Sequence, residues 1–390
     1  MKIFLTSALL FIFGTTLSQN LDDSKKLIEN KQYNSAFLLL NKLDPENKNP
    51  EVVLEKTTIL LNYFVTSIMH QMFALKDLEE GEELMAIRGS EGNFSMYKFQ
   101  VDSVLNTLIK QHPKNFKLRK QLGYFYHEVH LKYGGRWLED DAVVLPKIQE
   151  NYELAYKNGE FDYWSLYGIA YCYLNQNKAK DAIYYFEKSI ELHKDYPSNY
   201  YNLAYAYMST DDKEKAIENA KKAYELYQYP DYKSDAAKMV GLLYSDLNDD
   251  ENALVYLQKA YDLTPDSYYV LKPLLSLEVK IDSPMYTDRT KQFLMIAPGN
   301  PTIYQDLEGI YWENKKEDEL MNFLEDQKTN FSNDPKVLGN LYFYIARIYD
   351  GKKDTEKAKL NFEKAKSIFT KAYDANHRVF EVIDSYLNEK

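Results

Sequence analysis

Small residues recur along this chain at intervals too regular for chance. Ala170, Ala204 and Gly241 lie 34 and 37 residues apart, and Ala346 follows Gly241 by 105, three periods of 35. A second column runs Ala182, Ala216, Ala253 and Ala358, and a third Ser189, Ala223, Ala260 and Ala365. Twelve residues separate the first column from the second and seven the second from the third in each of these units. Two helices joined by a short turn account for this spacing. Small side chains let paired helices approach where they cross, and large ones fill the rest of the interface. A lone pair of this kind cannot bury its apolar face, so copies must stack into a continuous core.

The connecting segments agree. "NQNKAKD", "STDDKEK" and "LNDDEN" are polar, rich in Asn and Asp, and sit between apolar-periodic runs. Asp211 followed by Glu214 has capping-box spacing for a second helix. Pro265 and Pro298 stand where second helices must stop. With 14 glycines and 12 prolines in 390 residues and no period-two alternation, the chain reads as helical throughout.

These residues resemble the tetratricopeptide repeat, a 34-residue helix–turn–helix. The matching pieces are Leu203-Ala204 with Tyr207, then Ala216, Ala220 and Ala223; Val240-Gly241, Tyr244, Ala253, Leu257, Ala260 and Pro265; and Ile345-Ala346, Tyr349, Ala358, Phe362 and Ala365. The resemblance implies an all-α fold, a right-handed α-solenoid whose first helices form a concave surface. It divides the chain into a leader (1–18), a divergent helical region (19–158) with a loop inserted at 133–146, regular repeats (159–265), a degenerate pair (266–300), further repeats (301–370) and a capping helix (371–390). The degenerate pair is expected to be broken by Pro273 and Pro284. The unit opening at 301 carries Glu308 and Leu320 in the small-residue columns, so its packing should be looser or shifted. "KQYNSAFLLLNKLDP" reads as the second helix of an incomplete first unit. Leu122-Gly123 with Tyr126 reads as a first helix whose partner, near 146–157, arrives late. Val379, Phe380, Ile383, Tyr386 and Leu387 share one face of the final helix, as a cap requires.

The N-terminus, "MKIFLTSALLFIFGTTLSQN", has one charge at Lys2, an apolar stretch from Ile3 to Phe13, and small residues at Thr16 and Ser18. This is the pattern of a secretory leader cut after Ser18. Asn, Lys and Tyr usage, with Gln19 after the cut, resembles exported proteins of Bacteroidetes-type bacteria. The expected location is therefore periplasmic or secreted. No cysteine flanks the cut, and the one cysteine, Cys172, sits on an apolar helix where it reads as a buried small hydrophobe. Residues 59–75 are apolar but hold Asn62, Thr66, Ser67, His70 and Gln71, which favours a buried helix over a membrane span. No transmembrane segment is expected in the mature chain. A net charge of −11 disfavours nucleic acid as a partner.

The chain holds 36 tyrosines. Tyr126, Tyr173, Tyr207, Tyr244, Tyr311 and Tyr349 share one repeat position, which in this family packs between helices. The family's groove is lined by the fifth and ninth residues of each first helix; here these are Tyr167 and Tyr171, then Tyr201 and Tyr205, with Trp164 and Asn202 beside them. Aromatic rings with polar tips make favoured contact surfaces; the alternative is that these tyrosines only fill a tight superhelix or stack on one another. Relatives that grip a C-terminal carboxylate use Lys and Asn at these places. Only Asn202 fits that pattern, so the carboxylate clamp is not carried over. Inserted loops in solenoids often carry recognition, which adds Arg136 and Trp137 as candidates. His127, Glu128 and His130 miss the spacing of a zinc-protease motif, and no third ligand accompanies them, so they read as helix-surface residues and no metal or cofactor is expected. The segment 86–95 reads as a flexible connection. The expected function is a non-enzymatic exported scaffold binding another protein of the cell envelope through an aromatic groove; the alternative is a glycan or small ligand held on the same tyrosines.

Overall fold

The computed structural model describes residues 18–68, 71–133 and 139–388. The chain divides into two compact units that meet in sequence at Asp211 and Asp212. In the first, helix α1 (residues 18–29) is followed by α2 (Tyr33–Leu43), α3 (Pro50–Asn62), strands β1 (Thr66–Ile68) and β2 (Met72–Leu75), a single helical turn α4 (Leu84–Ile87), β3 (Ser95–Lys98), then α5 (Val101–Gln111), α6 (Phe116–Tyr133), α7 (Asp141–Lys157), α8 (Tyr163–Asn175), α9 (Ala179–Leu192) and α10 (Pro197–Met208). The second contains α11 (Lys213–Leu226), α12 (Pro230–Asp246), α13 (Asp250–Leu263), α14 (Tyr268–Lys280), α15 (Tyr286–Ile296), α16 (Pro301–Glu313), α17 (Glu317–Asn330), α18 (Pro335–Gly351), α19 (Thr355–Phe369) and α20 (Arg378–Asn388). The pairs α6/α7, α8/α9, α12/α13 and α18/α19 are closely packed. Ala170, Ala182, Ala253, Ala346 and Ala358 are buried where their helices pair, and Ala204 and Ala216 are buried too. Each unit has its own apolar core, with Phe37, Leu105 and Phe125 in the first and Phe293, Leu341 and Phe362 in the second.

One backbone device recurs in the turns. Asn177, Asp211, Asn248 and Lys353 have φ of 59°, 61°, 59° and 63°, each one residue before the second helix's N-cap. Asn and Asp tolerate this left-handed region better than other side chains do, which explains their enrichment here. It also corrects the capping expectation. Asp211 is the left-handed residue, and the N-cap is Asp212, whose carboxylate accepts from the Lys215 amide at 3.3 Å. Lys31 repeats the device with φ 58°. The first unit of the array is therefore complete: α1 supplies its first helix, with Ser24 and Ala36 fully buried in the first two small columns.

The largest departure is at residues 59–75, expected to be one buried helix. The helix stops at Asn62, and the chain turns into the antiparallel sheet β1–β2–β3, with Phe73 opposite both Ser67 and Tyr97. The run Val65-Thr66-Ser67-Ile68 is rich in β-branched residues, and a short apolar run is helix or strand by periodicity alone. Phe73, Ala74 and Leu75 are buried, and Tyr97 lies 4.5 Å from the Phe37 ring. Gln71 ties the sheet to α5, donating to Asp102 at 2.8 Å and accepting from the Val101 amide at 2.7 Å. The connection at 86–95 correspondingly holds the end of α4 and the start of β3.

Three smaller corrections follow. The insert does not extend to 146, because Asp140 caps α7 and residues 141–146 are its first turns. Pro273 does not break the degenerate pair; it lies within α14, and Pro284 falls in the turn before α15. Of the repeat-position tyrosines, Tyr126, Tyr207 and Tyr311 are buried, while Tyr173, Tyr244 and Tyr349 are half-buried. The half-buried Tyr173 donates to Glu153 at 2.8 Å, and Tyr244 accepts from Lys221 at 2.6 Å. The unit at 301–334 does pack more loosely, α16 and α17 approaching less closely than α18 and α19. The final helix starts later than expected, at Arg378 rather than 371, with Phe380 and Ile383 buried and Tyr386 stacked 4.6 Å from Phe362. Among the described residues no helix is long and apolar enough to cross a membrane.

Candidate binding face

The face predicted from the tyrosines is carried by α8 and α10, neighbouring first helices in the first unit. Helix α8 is fixed at its start by a capping box: the Asp162 carboxylate accepts from the Ser165 amide at 2.8 Å and Ser165 Oγ accepts from the Asp162 amide at 2.9 Å. Trp164, Tyr167 and Tyr171 then fall on one side of the helix. Their rings form a row in which Trp164 and Tyr167 are 5.5 Å apart and Tyr167 and Tyr171 6.3 Å apart, all near parallel. Helix α6 extends it at both ends. His127 stacks on Trp164 at 4.9 Å, and His130 lies 5.5 Å from Tyr171. Tyr196, the N-cap residue of α10, closes edge-on against Trp164 and Tyr167 at 5.5 and 5.1 Å.

The candidates therefore divide. Tyr167 is 5% exposed and its hydroxyl accepts from Asn202 Nδ2 at 2.9 Å, so these two residues bind each other and Tyr167 is core. Trp164, Tyr171 and Tyr201 are half-buried, and Tyr205 is 52% exposed. The outward face of the platform is thus Tyr205 with the accessible parts of Tyr171 and Tyr201. Arg136 and Trp137, and the leader up to residue 17, lie outside the described residues.

The histidines are not surface residues. His127 is fully buried, and desolvation lowers its pKa to about 3, so it is a neutral ring within the stack. His130 Nδ1 lies 2.9 Å from Asp141 and its Nε2 3.3 Å from the Tyr171 hydroxyl. The two imidazoles serve different neighbours, and no group of three metal-ligating side chains occurs among the described residues. Cys172 is buried, as expected, and desolvation pushes its thiol up to about 12, which removes the nucleophilic thiolate.

Sequence reasoning overlooked a cavity of about 480 Å³ one helix pair earlier, between α3, α6 and the start of α8. Gln121, Tyr124 and Glu128 of α6 face it, together with Tyr152 from α7 and Trp164. Tyr152 is the residue most easily missed, because its place in the repeat is a core place: Phe186, Leu257 and Phe362 occupy it in other units. A hydroxyl at a position otherwise filled by apolar side chains is the signal that could have found it.

Tetratricopeptide repeat models match residues 164–196, 197–229, 239–267 and 339–372. No curated protein matches the chain. Among solved structures it is similar to a tetratricopeptide repeat protein from Parabacteroides merdae, at 20% identity over 67% of this chain and 97% of that one, with a TM-score of 0.41. It is similar also to the C-terminal part of a TPR repeat-containing protein from Cytophaga hutchinsonii, at 14% identity over 72% and 92% of the two chains, TM-score 0.41. A third is YrrB, described as a TPR protein with an unusual peptide-binding site, at 16% identity over 60% and 97%, TM-score 0.34. The matched repeats, the buried columns of small residues and the recurrent left-handed turn lead to one conclusion: the chain carries tetratricopeptide repeats and folds as an all-α solenoid, and proteins built of such repeats generally serve as non-enzymatic scaffolds for protein–protein interaction.

Proposed function

We propose that this protein is a non-enzymatic, exported scaffold that holds another protein of the cell envelope against the tyrosine face of α8 and α10. The observation that carries the reading is Tyr205, half exposed on α10, with the half-buried Tyr201 one turn earlier and the half-buried Tyr171 on the neighbouring α8. Rigid aromatic surface of this kind gives contact area at low entropic cost. The leader-like segment ending at Ser18 supports export. The inert thiol of Cys172 and the buried, neutral His127 leave the two most conspicuous candidate nucleophile and base without a catalytic setting.

The test is capture of partners from crosslinked native cells by the mature chain, residues 19–390, beside a variant carrying Tyr171→Ala, Tyr201→Ala and Tyr205→Ala. Tyr167 is left intact because it is core. The expected result is one envelope protein captured by the wild type and lost from the variant at unchanged helicity. Equal capture by both forms would move the interface off this face.

A further inference from the structure

The Tyr152 hydroxyl is a buried polar group that packing does not explain. The Tyr152 ring passes between α6 and α8 where two glycines make room: a Cβ on Gly123 or on Gly168 would stand 2.6 Å from it. The side chain is 1% exposed, and its hydroxyl has no hydrogen-bond partner among the described residues. Leaving such a group unpaired is unfavourable, and a phenylalanine would fill the same space without it. Tyr152 nonetheless lines the cavity between α3, α6 and α8. Two further residues of that wall share the condition. Gln121 Nε2 and Trp164 Nε1 are buried donors with no partner among the described residues.

The wall's charged groups are already committed. Lys120 is paired with Asp162 at 3.0 Å, and Glu128 with Lys132. The unspent groups are thus neutral donors, while the carboxylates of Asp162 and Glu128 face the same space. An anion would meet those carboxylates; an uncharged acceptor would not. We propose that the cavity binds a carboxamide, the side chain of a glutamine or asparagine in an extended peptide. Its carbonyl oxygen accepts from Tyr152 and Trp164, one on each lone pair, Gln121 turns to admit it, and its NH2 group donates toward Asp162 or Glu128. The aromatic planes of Trp164 and Tyr124 flank the amide. About 480 Å³ suits one side chain and its adjoining backbone. The three donors are closed to solvent in the free protein, so binding requires a side-chain rotation, most readily of the half-buried Gln121. The inference deepens the scaffold reading and rests on it for the source of the carboxamide, a segment of the partner protein.

The test uses the indole N–H resonances of Trp137, Trp164 and Trp312 in the mature chain, with Trp164 assigned through Trp164→Phe. The probes are N-acetyl-glutamine N-methylamide, N-acetyl-glutamate N-methylamide and N-acetylglucosamine, of which only the first carries a primary carboxamide. The Trp164 resonance is expected to move with the glutamine probe and to stay in place with the other two. Tyr152→Phe is expected to raise the melting temperature, since it deletes an unpaired hydroxyl, and to weaken the glutamine probe about tenfold, the loss of one buried hydrogen bond. A lower melting temperature for Tyr152→Phe would show the hydroxyl already bonded and overturn the proposal. Equal response to glutamate and glutamine, or response to the sugar instead, would overturn it too. The titration needs no partner, so failure to capture an envelope protein would sink the scaffold reading while leaving this result standing.

Discussion

A Cβ placed on Gly168 would lie 2.6 Å from Cε2 of Tyr152 and 3.0 Å from Nδ1 of His127. Both neighbours are fully buried rings, so neither can swing aside cheaply. Gly168→Ala should therefore destabilise the first unit by about 1–3 kcal/mol, the cost of overpacking a closed core. Gly309, in the interior of α16, is the control: nothing stands within 4 Å of its Cβ position. Gly309→Ala should stabilise by about 0.5–1 kcal/mol, because only the helix penalty of glycine is removed. Urea unfolding of the two variants should move in opposite directions.

Lys56 is fully buried, and its ammonium donates to the Asp44 carbonyl, to Asn47 Oδ1 at 2.8 Å and to Asn41 Oδ1 at 3.2 Å. Desolvation lowers its pKa from 10.5 to about 8. Between those values the unfolded chain holds a proton that the folded chain has released, so the lysine's contribution to stability rises with pH. Lys56→Met should cost about 2 kcal/mol at pH 7 by orphaning three acceptors. The gap between wild type and variant should then widen from pH 8 to pH 10. A constant gap across urea curves in that range would mean that Lys56 keeps its ordinary pKa.

The sequence was most legible where packing is repetitive and least where it is singular. Ala182, Ala216, Ala253 and Ala358 mark crossings because any larger side chain would hold the helices apart, so the period shows without a structure. Ser24 does the same for the first unit, but a serine there gives no alanine signal. Tyr167 and Asn202 were both read as outward groove residues; each sits at a groove place, and only coordinates reveal that they hydrogen-bond to each other. The β-sheet was hidden because four or five apolar residues satisfy helix and strand equally. The cavity was hidden because Gln121, Tyr152 and Trp164 come from three different helices, and only the Tyr152 hydroxyl stands out against the repeat.

Lys353 holds φ at 63°, in a turn where Asn177, Asp211 and Asn248 do the same work. Lysine lacks the short side chain that eases this region. Lys353→Gly should raise the stability of the second unit by about 1 kcal/mol. Asn248→Ala should lower it by a similar amount. Thermal melts of the pair test whether the left-handed turn, rather than side-chain contact, governs this position.

The degenerate pair α14/α15 departs from all three columns, with Leu277 and Ile296 in the first and third. Counted from the N-cap, the place held by Ala253 and Ala358 is taken here by Arg289. The guanidinium is nevertheless buried, bonded to Glu278 at 3.2 and 3.3 Å, to Gln258 and Gln292, and centred 4.0 Å over the Tyr261 ring. A charge that cannot reach water depends on its partner. Glu278→Leu should cost about 3–5 kcal/mol because it strands that charge, and Arg289→Ala should cost a comparable amount by stranding the carboxylate. The double variant restores alanine to the column and leaves no charge behind, so it should be more stable than either single one. If the two single costs simply add, the ion pair is not what holds α14 against α15, and the stacking of Arg289 on Tyr261 is the contact to remove next.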